Sequence, residues 1–394
     1  MSTVKTALAG ALAASLAFSM PATAQQQKVK IGFITTLSGP LGNIGKHMKD
    51  SADLALDHLN KRVGGLETEI IYLDDQVKPD VGVQAAEELL KKHQVDFVAG
   101  VIWSNVMMAV VPVVTGAGKI MVGANAGASP LAGSQCSELY FSASWNNDQT
   151  PEAMGKFMQD NKINDVYVLA PNYQAGKDTV AGLKRYYKGR IVEEIYTKFQ
   201  QTDYQAEITQ LRSKNPKAVF AFYPGGMGIQ FVKQYTQAGL RDQIPLYTVF
   251  TVDETTLPAL KEAAIGQYEA RFWSPDLDVP ASKKYVADFE KKFGYIPSYY
   301  GAQSYDGIML IDSAVRGTKG NLKDVKALVR EMRKANYDSI RGKFQFNVNQ
   351  HPIQDFYLLQ AVKANNKDGV AMKIVQKAFE KHQDAYHQDC KMKW

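Results

Sequence analysis

From Lys28 onward, short β-branched or aromatic runs alternate with longer stretches of helical period, and this rhythm limits the fold more than any other property of the chain. Strands separated by a helix-length crossover lie parallel in one sheet, with the helices on its faces. The first unit is expected to place strands at Val29 to Thr35, Glu69 to Leu73, Asp96 to Val101, Ile120 to Gly123 and Leu139 to Ser142. Helices fall between them over Lys46 to Asn60, Val81 to His93 and Asn105 to Thr115; Met48, Ala52, Ala55 and Leu59 form an apolar stripe on the first. After the polar stretch Ser144 to Gln149 the alternation restarts, with strands at Asp165 to Ala170, Arg190 to Tyr196, Ala218 to Tyr223 and Pro245 to Phe250. The helices of this second unit are Gly176 to Tyr187, Tyr204 to Lys214, Met227 to Ala238 and Leu257 to Ala263. The last third breaks the rhythm: helices over Ala281 to Phe293, Tyr299 to Val315 and Leu322 to Ala335 precede strand-like runs Lys343 to Val348 and Asp355 to Val362. These segments lack the strands for a third sheet, so they are expected to complete the first two units. The fold class is α/β, with two doubly wound sheets.

Length agrees, since 394 residues at roughly 150 per domain make two or three domains. The net charge of +6 arises from 46 basic and 40 acidic residues with no dense Lys/Arg cluster, which argues against a nucleic-acid partner. Met1 to Ala24 has the form of a secretory signal: Lys5, the apolar run Ala7 to Met20, and the small-x-small site Ala22-Thr23-Ala24. The run is too short and Ala-rich for a membrane span, and no later segment is apolar enough to insert. Removing 24 residues from 394 leaves 370 and, with Lys5 gone, a net charge of +5. Export to an oxidising compartment permits a disulfide between the two cysteines, Cys136 and Cys390; two free thiols are the alternative.

Catalytic and cofactor signatures fail one by one. The turn Ser38 to Lys46 follows a strand and opens a helix, yet Pro40 stands where both the dinucleotide and phosphate-loop patterns need Gly, and His47 where the latter needs Ser or Thr. Gly225-Gly226-Met227-Gly228 fails likewise and reads as a tight turn. No two of the six histidines are spaced i, i+4, and two cysteines are too few for structural zinc or an iron–sulfur cluster, so no metal or cofactor is expected. No Gly-x-Ser-x-Gly elbow occurs. Asp74-Asp75 is the one acidic pair at a strand's carboxyl end, but neighbours on a strand point in different directions. An exported α/β enzyme is therefore disfavoured, lacking a nucleophile and a base.

The chain resembles the type I periplasmic solute-binding proteins of ABC transporters, in the family of the leucine/isoleucine/valine-binding protein. The likeness runs over residues 28 to 362, through Ile31-Gly32-Phe33, Leu37-Ser38-Gly39-Pro40, Leu73-Asp74-Asp75-Gln76, Ala126-Gly127-Ala128-Ser129-Pro130 and Pro297 to Gly307. It implies two Rossmann-like lobes joined by three crossings, near Ser144 to Gln149, Phe272 to Pro275 and Val348 to Pro352. The first lobe is expected to hold residues 28–145 and 274–348 and the second 146–273 and 349–362, with 363–394 as a C-terminal tail. A monomer is expected that receives a small anionic ligand between the lobes and hands it to a membrane permease.

In the family, ligand carboxylates are held by N–H groups and hydroxyls after the third and fourth strands of the first lobe. These positions match Trp103-Ser104-Asn105 and Ala126-Gly127-Ala128-Ser129. A helix start favours an anion in any case, although Ser104 or Asn105 serves equally as a cap for that helix. The acid that pairs with an α-ammonium in amino-acid binders aligns with Phe250; a shift of three residues would let Asp253 replace it. The family tyrosine preceding Gly176 is Ala175 here, with Tyr173 two residues earlier. Rings and amides are expected to fill the cleft instead: Trp103, Asn172, Tyr173, Tyr223 and Phe250, with Asn43, Trp145 and Asn147 at the hinge and cleft rim. Together with Trp273 to Asp278, the pattern resembles the branch that binds aromatic carboxylates such as benzoate or cinnamate derivatives. A branched-chain amino acid or an amide, with Asp253 as ammonium partner, is the alternative.

Overall fold

The computed structural model describes residues 27–392, so the expected signal segment lies outside the described residues. The first sheet forms from β1 (Val29–Thr35), β2 (Arg62–Val63), β3 (Leu66–Asp74), β4 (Phe97–Gly100), β5 (Ile120–Gly123) and β6 (Tyr140–Ser142), in the order β2-β3-β1-β4-β5-β6. From β3 to β6 the pairings are parallel, Ile31 lying beside Ile70 on one side and Phe97 on the other. Such strands are buried on both faces and need continuous apolar runs; Phe97–Gly100 and Ile120–Gly123 are buried throughout. Helices α1 (Gly42–His58), α2 (Pro79–Glu88), α3 (Ser104–Gly116) and the short α4 (Ser129–Ala132) link them. The glycines of the phosphate-loop-like turn serve packing: a Cβ on Gly45 would stand 1.8 Å from the Thr36 carbonyl oxygen, so only glycine lets α1 start this close to β1.

The second lobe opens with α5 (Gln149–Asp160) and continues through β7 (Asp165–Pro171), α6 (Gln174–Tyr186), β8 (Arg190–Thr197), α7 (Gln205–Lys214), β9 (Val219–Phe222), α8 (Gly226–Gln237), β10 (Leu246–Val249), α9 (Leu257–Leu260) and β11 (Tyr268–Arg271). The chain then returns to the first lobe with α10 (Pro280–Phe293), α11 (Tyr299–Gly317) and α12 (Val325–Arg333). Contacts such as Ser51 Oγ to Tyr285 Oη at 2.7 Å and the Gly64 N–H donating to Asp312 at 2.7 Å seat α10 on α1 and α11 on the turn between β2 and β3. Finally β12 (Gln345–Phe346), β13 (Pro352–Lys363) and β14 (Val370–His382) extend the second sheet, whose order is β12-β13-β11-β10-β9-β7-β8 with β14 on β13.

Three expectations change. Strand β11, short and mixed in composition, was not anticipated. The expected tail contains β14, which pairs antiparallel with β13 from Lys363 beside Val370 to Gln354 beside His382. Residues 345 and 346 belong to the second sheet, because Phe346 pairs with Pro352 in a hairpin; the third crossing thus begins before Val348.

Cys136 and Cys390 are bridged, with Cα atoms 5.7 Å apart. Cys136 lies between α4 and β6 in the first lobe, whereas β14 ends at His382 in the second. Residues 383–390 therefore form a fourth covalent link between the lobes. It runs beside the third crossing, where Asn349 Nδ2 donates to Asp384 at 3.0 Å and Asn347 Nδ2 to Gln383 Oε1 at 3.3 Å.

Candidate functional site

The carboxyl ends of both sheets face one another, and a small cavity of about 20 Å³ lies between them. That is room for about one water, so a larger guest requires the lobes to part or wall side chains to move. Its first-lobe wall is Ile102, Trp103, Ser104, Asn125 and Tyr300; its second-lobe wall is Tyr173, Ala175, Phe222, Pro224 and Phe250; Trp145 and Asn147 come from the first crossing. None of these residues carries a charge.

The rings form a nearly continuous girdle across the lobes. Trp145 stacks on Phe250 at 4.8 Å, Phe250 meets Phe222 edge-on at 5.7 Å, and Tyr173 lies between Phe199 at 4.5 Å and Phe222 at 6.1 Å. Trp103 closes the ring from the first lobe, 5.5 Å from Phe199. Burial, with Asp178 adding to it, pushes the Tyr173 hydroxyl well above the usual phenol range; burial followed by Asp253 does the same for Tyr300. Both remain neutral at physiological pH.

Two bulky residues adopt left-handed backbone at the strand ends that bear the site. Val101, just past β4, has φ 66°, and Phe250, just past β10, has φ 55°. Such conformations cost about 1 to 3 kcal/mol each and persist where surroundings over-determine them. Here they turn the chain sharply enough to bring Trp103 and the Phe250 ring into the cleft.

Donors converge on the cavity from the first lobe. Trp103 is the N-cap residue of α3 and makes no side-chain cap, so Ser104 and Asn105 are the first helical residues rather than caps. Their N–H groups precede the helical ladder, which opens with Met107 N–H donating to Trp103 O at 2.9 Å. The Nε1 of Trp145 is buried without a hydrogen-bond partner among the described residues. The indole of Trp103 is held from behind: its Nε1 donates to Thr36 Oγ1 at 2.8 Å, and that hydroxyl donates to Asp75 at 2.5 Å. Asp74 turns the other way, accepting from Leu37 N–H at 2.9 Å and Gln76 N–H at 3.0 Å, so the two acids share no proton.

Several anticipated site residues lie elsewhere. Ala126, Gly127 and Ala128 do not line the cavity; Ala126 N–H donates to Val101 O at 3.1 Å, Gly127 N–H to Asn147 Oδ1 at 3.1 Å and Ser129 N–H to Asp178 at 3.1 Å. Only the Ala128 N–H of this run has no protein acceptor among the described residues. Asn105 does not line the cavity, and Asn172 is exposed, its N–H donating to Thr197 O at 2.8 Å. Tyr223 is core, 4.8 Å from Tyr204 and 5.0 Å from Phe231. Asp253 is fully buried and occupied: it accepts from Thr255 N–H at 2.7 Å, Thr255 Oγ1 at 2.5 Å and, across the lobes, Tyr299 Oη at 3.1 Å. Asn43 joins the lobes through Nδ2 donating to Thr255 O at 3.0 Å, beside a separate cavity of about 540 Å³.

Ile102, Asn125, Ala175, Phe222, Pro224 and Tyr300 line the cavity without having been expected there. For Phe222 the signal was strand parity: alternate residues face opposite sides, so placing the last strand residue one position late exchanged it for Tyr223. Tyr300 stands in the run Pro297 to Gly307, where nothing in the sequence marks a helix from the chain's last third as starting at the cleft.

Two α/β lobes, several covalent crossings and a ring-lined cleft at the sheets' carboxyl edges define a two-lobed ligand-binding protein. The chain matches the periplasmic binding protein family over residues 28–368 and belongs to that family. It is similar to the Leu/Ile/Val-binding protein homolog 6 of Brucella melitensis, with 28% identity over 95% of this chain and 97% of that one. Among solved structures it is similar to an ABC-transporter solute-binding protein from R. palustris in complex with benzoate, at 25% identity and TM-score 0.87 over 93% of this chain and 100% of that one. A second, from Rhodopseudomonas palustris BisB5 in complex with 3,4-dihydroxybenzoic acid, shows 26% identity and TM-score 0.85 over 91% and 99%. The protein is thus a solute-binding protein and not an enzyme.

Proposed function

We propose that the protein captures a small aromatic carboxylate, of the benzoate, hydroxybenzoate or cinnamate type, and delivers it to an ABC permease after export and removal of Met1 to Ala24. The observation that carries this reading is the composition of the cleft: a girdle of rings, uncharged walls and unspent donors at the start of α3. Ring stacking contributes about 0.5 to 1.5 kcal/mol per pair beyond burial, and a helix start offers N–H groups to a carboxylate without a counter-charge. An α-ammonium would be buried against rings with no acid lining the cavity, at a cost of several kcal/mol. The solved relatives holding benzoate and 3,4-dihydroxybenzoic acid support the same ligand class. Contacts made to both lobes at once favour the closed form, so binding shifts the population toward closure.

The curated relative's name favours a second reading, a branched-chain amino acid. Titration followed by the fluorescence of Trp103 and Trp145 separates the two. Saturable micromolar binding of 4-hydroxybenzoate, benzoate or coumarate is expected; binding of leucine or isoleucine with none of the aromatic acids would refute the proposal.

A further inference from the structure

We propose that Asp178, outside the cavity on α6 of the second lobe, is a positioning residue that makes the cleft selective for a carboxylate, acting through Asn147 on the Ser104 hydroxyl. The proposal rests on the reading that an acid binds at the start of α3.

Asp178 is 4% exposed and accepts four hydrogen bonds: from Ser129 N–H at 3.1 Å, Ser129 Oγ at 2.7 Å, Gln174 Nε2 at 2.8 Å and Asn147 Nδ2 at 2.8 Å. The amide of Asn147 also accepts from Gly127 N–H at 3.1 Å. A backbone N–H only donates and a carboxylate only accepts, so these two partners fix which end of the amide is oxygen and which is nitrogen. With its orientation set, the second Nδ2 hydrogen points at Ser104 Oγ, 3.0 Å away. A hydroxyl has one hydrogen to give. Because Ser104 Oγ is already accepting, its own hydrogen is left to donate, and Ser104 lines the cavity. The charge on Asp178 is relayed as polarity: carboxylate, amide, hydroxyl, ligand.

Location adds a second consequence. Ser104, Gly127 and Ser129 belong to the first lobe and Asp178 to the second, so the relay is complete only when the lobes are together. Without Asp178 only the Gly127 N–H holds the Asn147 amide; once the amide turns over, its oxygen takes the Ser104 hydrogen, the hydroxyl shows the cavity only lone pairs, and the site accepts an amide as readily as an acid.

The test compares 4-hydroxybenzoate with 4-hydroxybenzamide, titrated calorimetrically into the mature protein and its Asp178→Ala, Asp178→Asn and Gln174→Ala variants. The expected result is an acid-to-amide affinity ratio that falls at least about tenfold in Asp178→Ala, falls less in Asp178→Asn, and stays unchanged in Gln174→Ala. Equal weakening of both ligands, or no change in either, would overturn the proposal, since a scaffolding role moves affinity without moving the ratio. Should the wild-type protein take leucine and no aromatic acid, the aromatic reading fails while this proposal is read from leucine against leucinamide. Should the Asp178 variants not fold, the wild-type protein still decides. With acid bound and asparagine nitrogen-labelled, Asn147 is expected to show two distinct side-chain amide protons shielded from solvent exchange; exchange as rapid as that of an exposed asparagine would refute the relay.

Discussion

Replacing Cys136 and Cys390 together by serine removes the fourth link between the lobes, and its cost can be worked from the topology. The bridged residues are 254 positions apart. In the chain-entropy treatment, closing so long a loop restricts the unfolded chain by about 5.5 kcal/mol at 25 °C. With an unfolding entropy of about 2.1 cal/mol/K per residue, a chain of this size changes by ~0.75 kcal/mol per kelvin at its midpoint, so the loss corresponds to about 7 °C in Tm. The folded side should change little, because Asp384 on Asn349 and the stacking of Tyr386 over Arg185, 5.5 Å from the ring centre, hold the strap without the bond. Thermal melts of wild type and double variant, each with and without reductant, make the assay. The variant is expected to melt about 7 °C lower than the oxidised wild type and to be insensitive to reductant, while the reduced wild type joins it. A reduced wild type with both thiols confirmed free and a Tm within about 1 °C of the oxidised form would refute the argument.

Two further outcomes follow from the buried polar groups. Exchange of Asp253 for Asn leaves an amide oxygen for the two Thr255 donors but turns the acceptor of the Tyr299 hydroxyl into a donor, and should cost about 1 to 3 kcal/mol of stability while leaving affinity for an aromatic acid within about twofold; binding of leucine by the wild type that is lost in the variant at an unchanged unliganded Tm, measured by calorimetry and melting, would restore Asp253 as an ammonium partner. Burial, aided by Lys46, lowers the His47 pKa from 6.5 to about 3. The unfolded chain therefore takes a proton below pH 6.5 that the folded chain refuses, and stability is lost as pH falls from there toward 3, by about 2 kcal/mol at pH 5. Denaturant titrations of His47→Asn, which keeps an acceptor for the Ser298 N–H, should show this acid limb flattened by that amount; an unchanged limb would sink the assignment.

Much of the fold was legible in the chain. Apolar periodicity located nine of the parallel strands, including Val29–Thr35 and Ile120–Gly123 to the residue, because a strand buried on both faces must be a continuous apolar run whatever surrounds it. The failed turn motifs and the absence of a nucleophile were equally local, and they set aside the enzyme reading before any geometry was known. Strand β14 escaped because its outward face is charged and its partner, β13, is recruited from the other side of a hairpin.

Which residues meet in the cleft was decided by tertiary structure. Trp103, Tyr173 and Phe250 could be named from strand ends and Trp145 and Asn147 from the first crossing, but Tyr223 lost its place to Phe222 through a single step of parity. The N–H groups of Gly127 and Ser129 were claimed by Asn147 and Asp178 from other segments, and Asp253 was claimed by Tyr299 across the lobes. Local periodicity follows from each segment's own burial and is therefore written in the sequence. The partner of a polar atom lies on another segment, 46 residues away for Asp253 and Tyr299, and only the closed fold brings the two within hydrogen-bond distance.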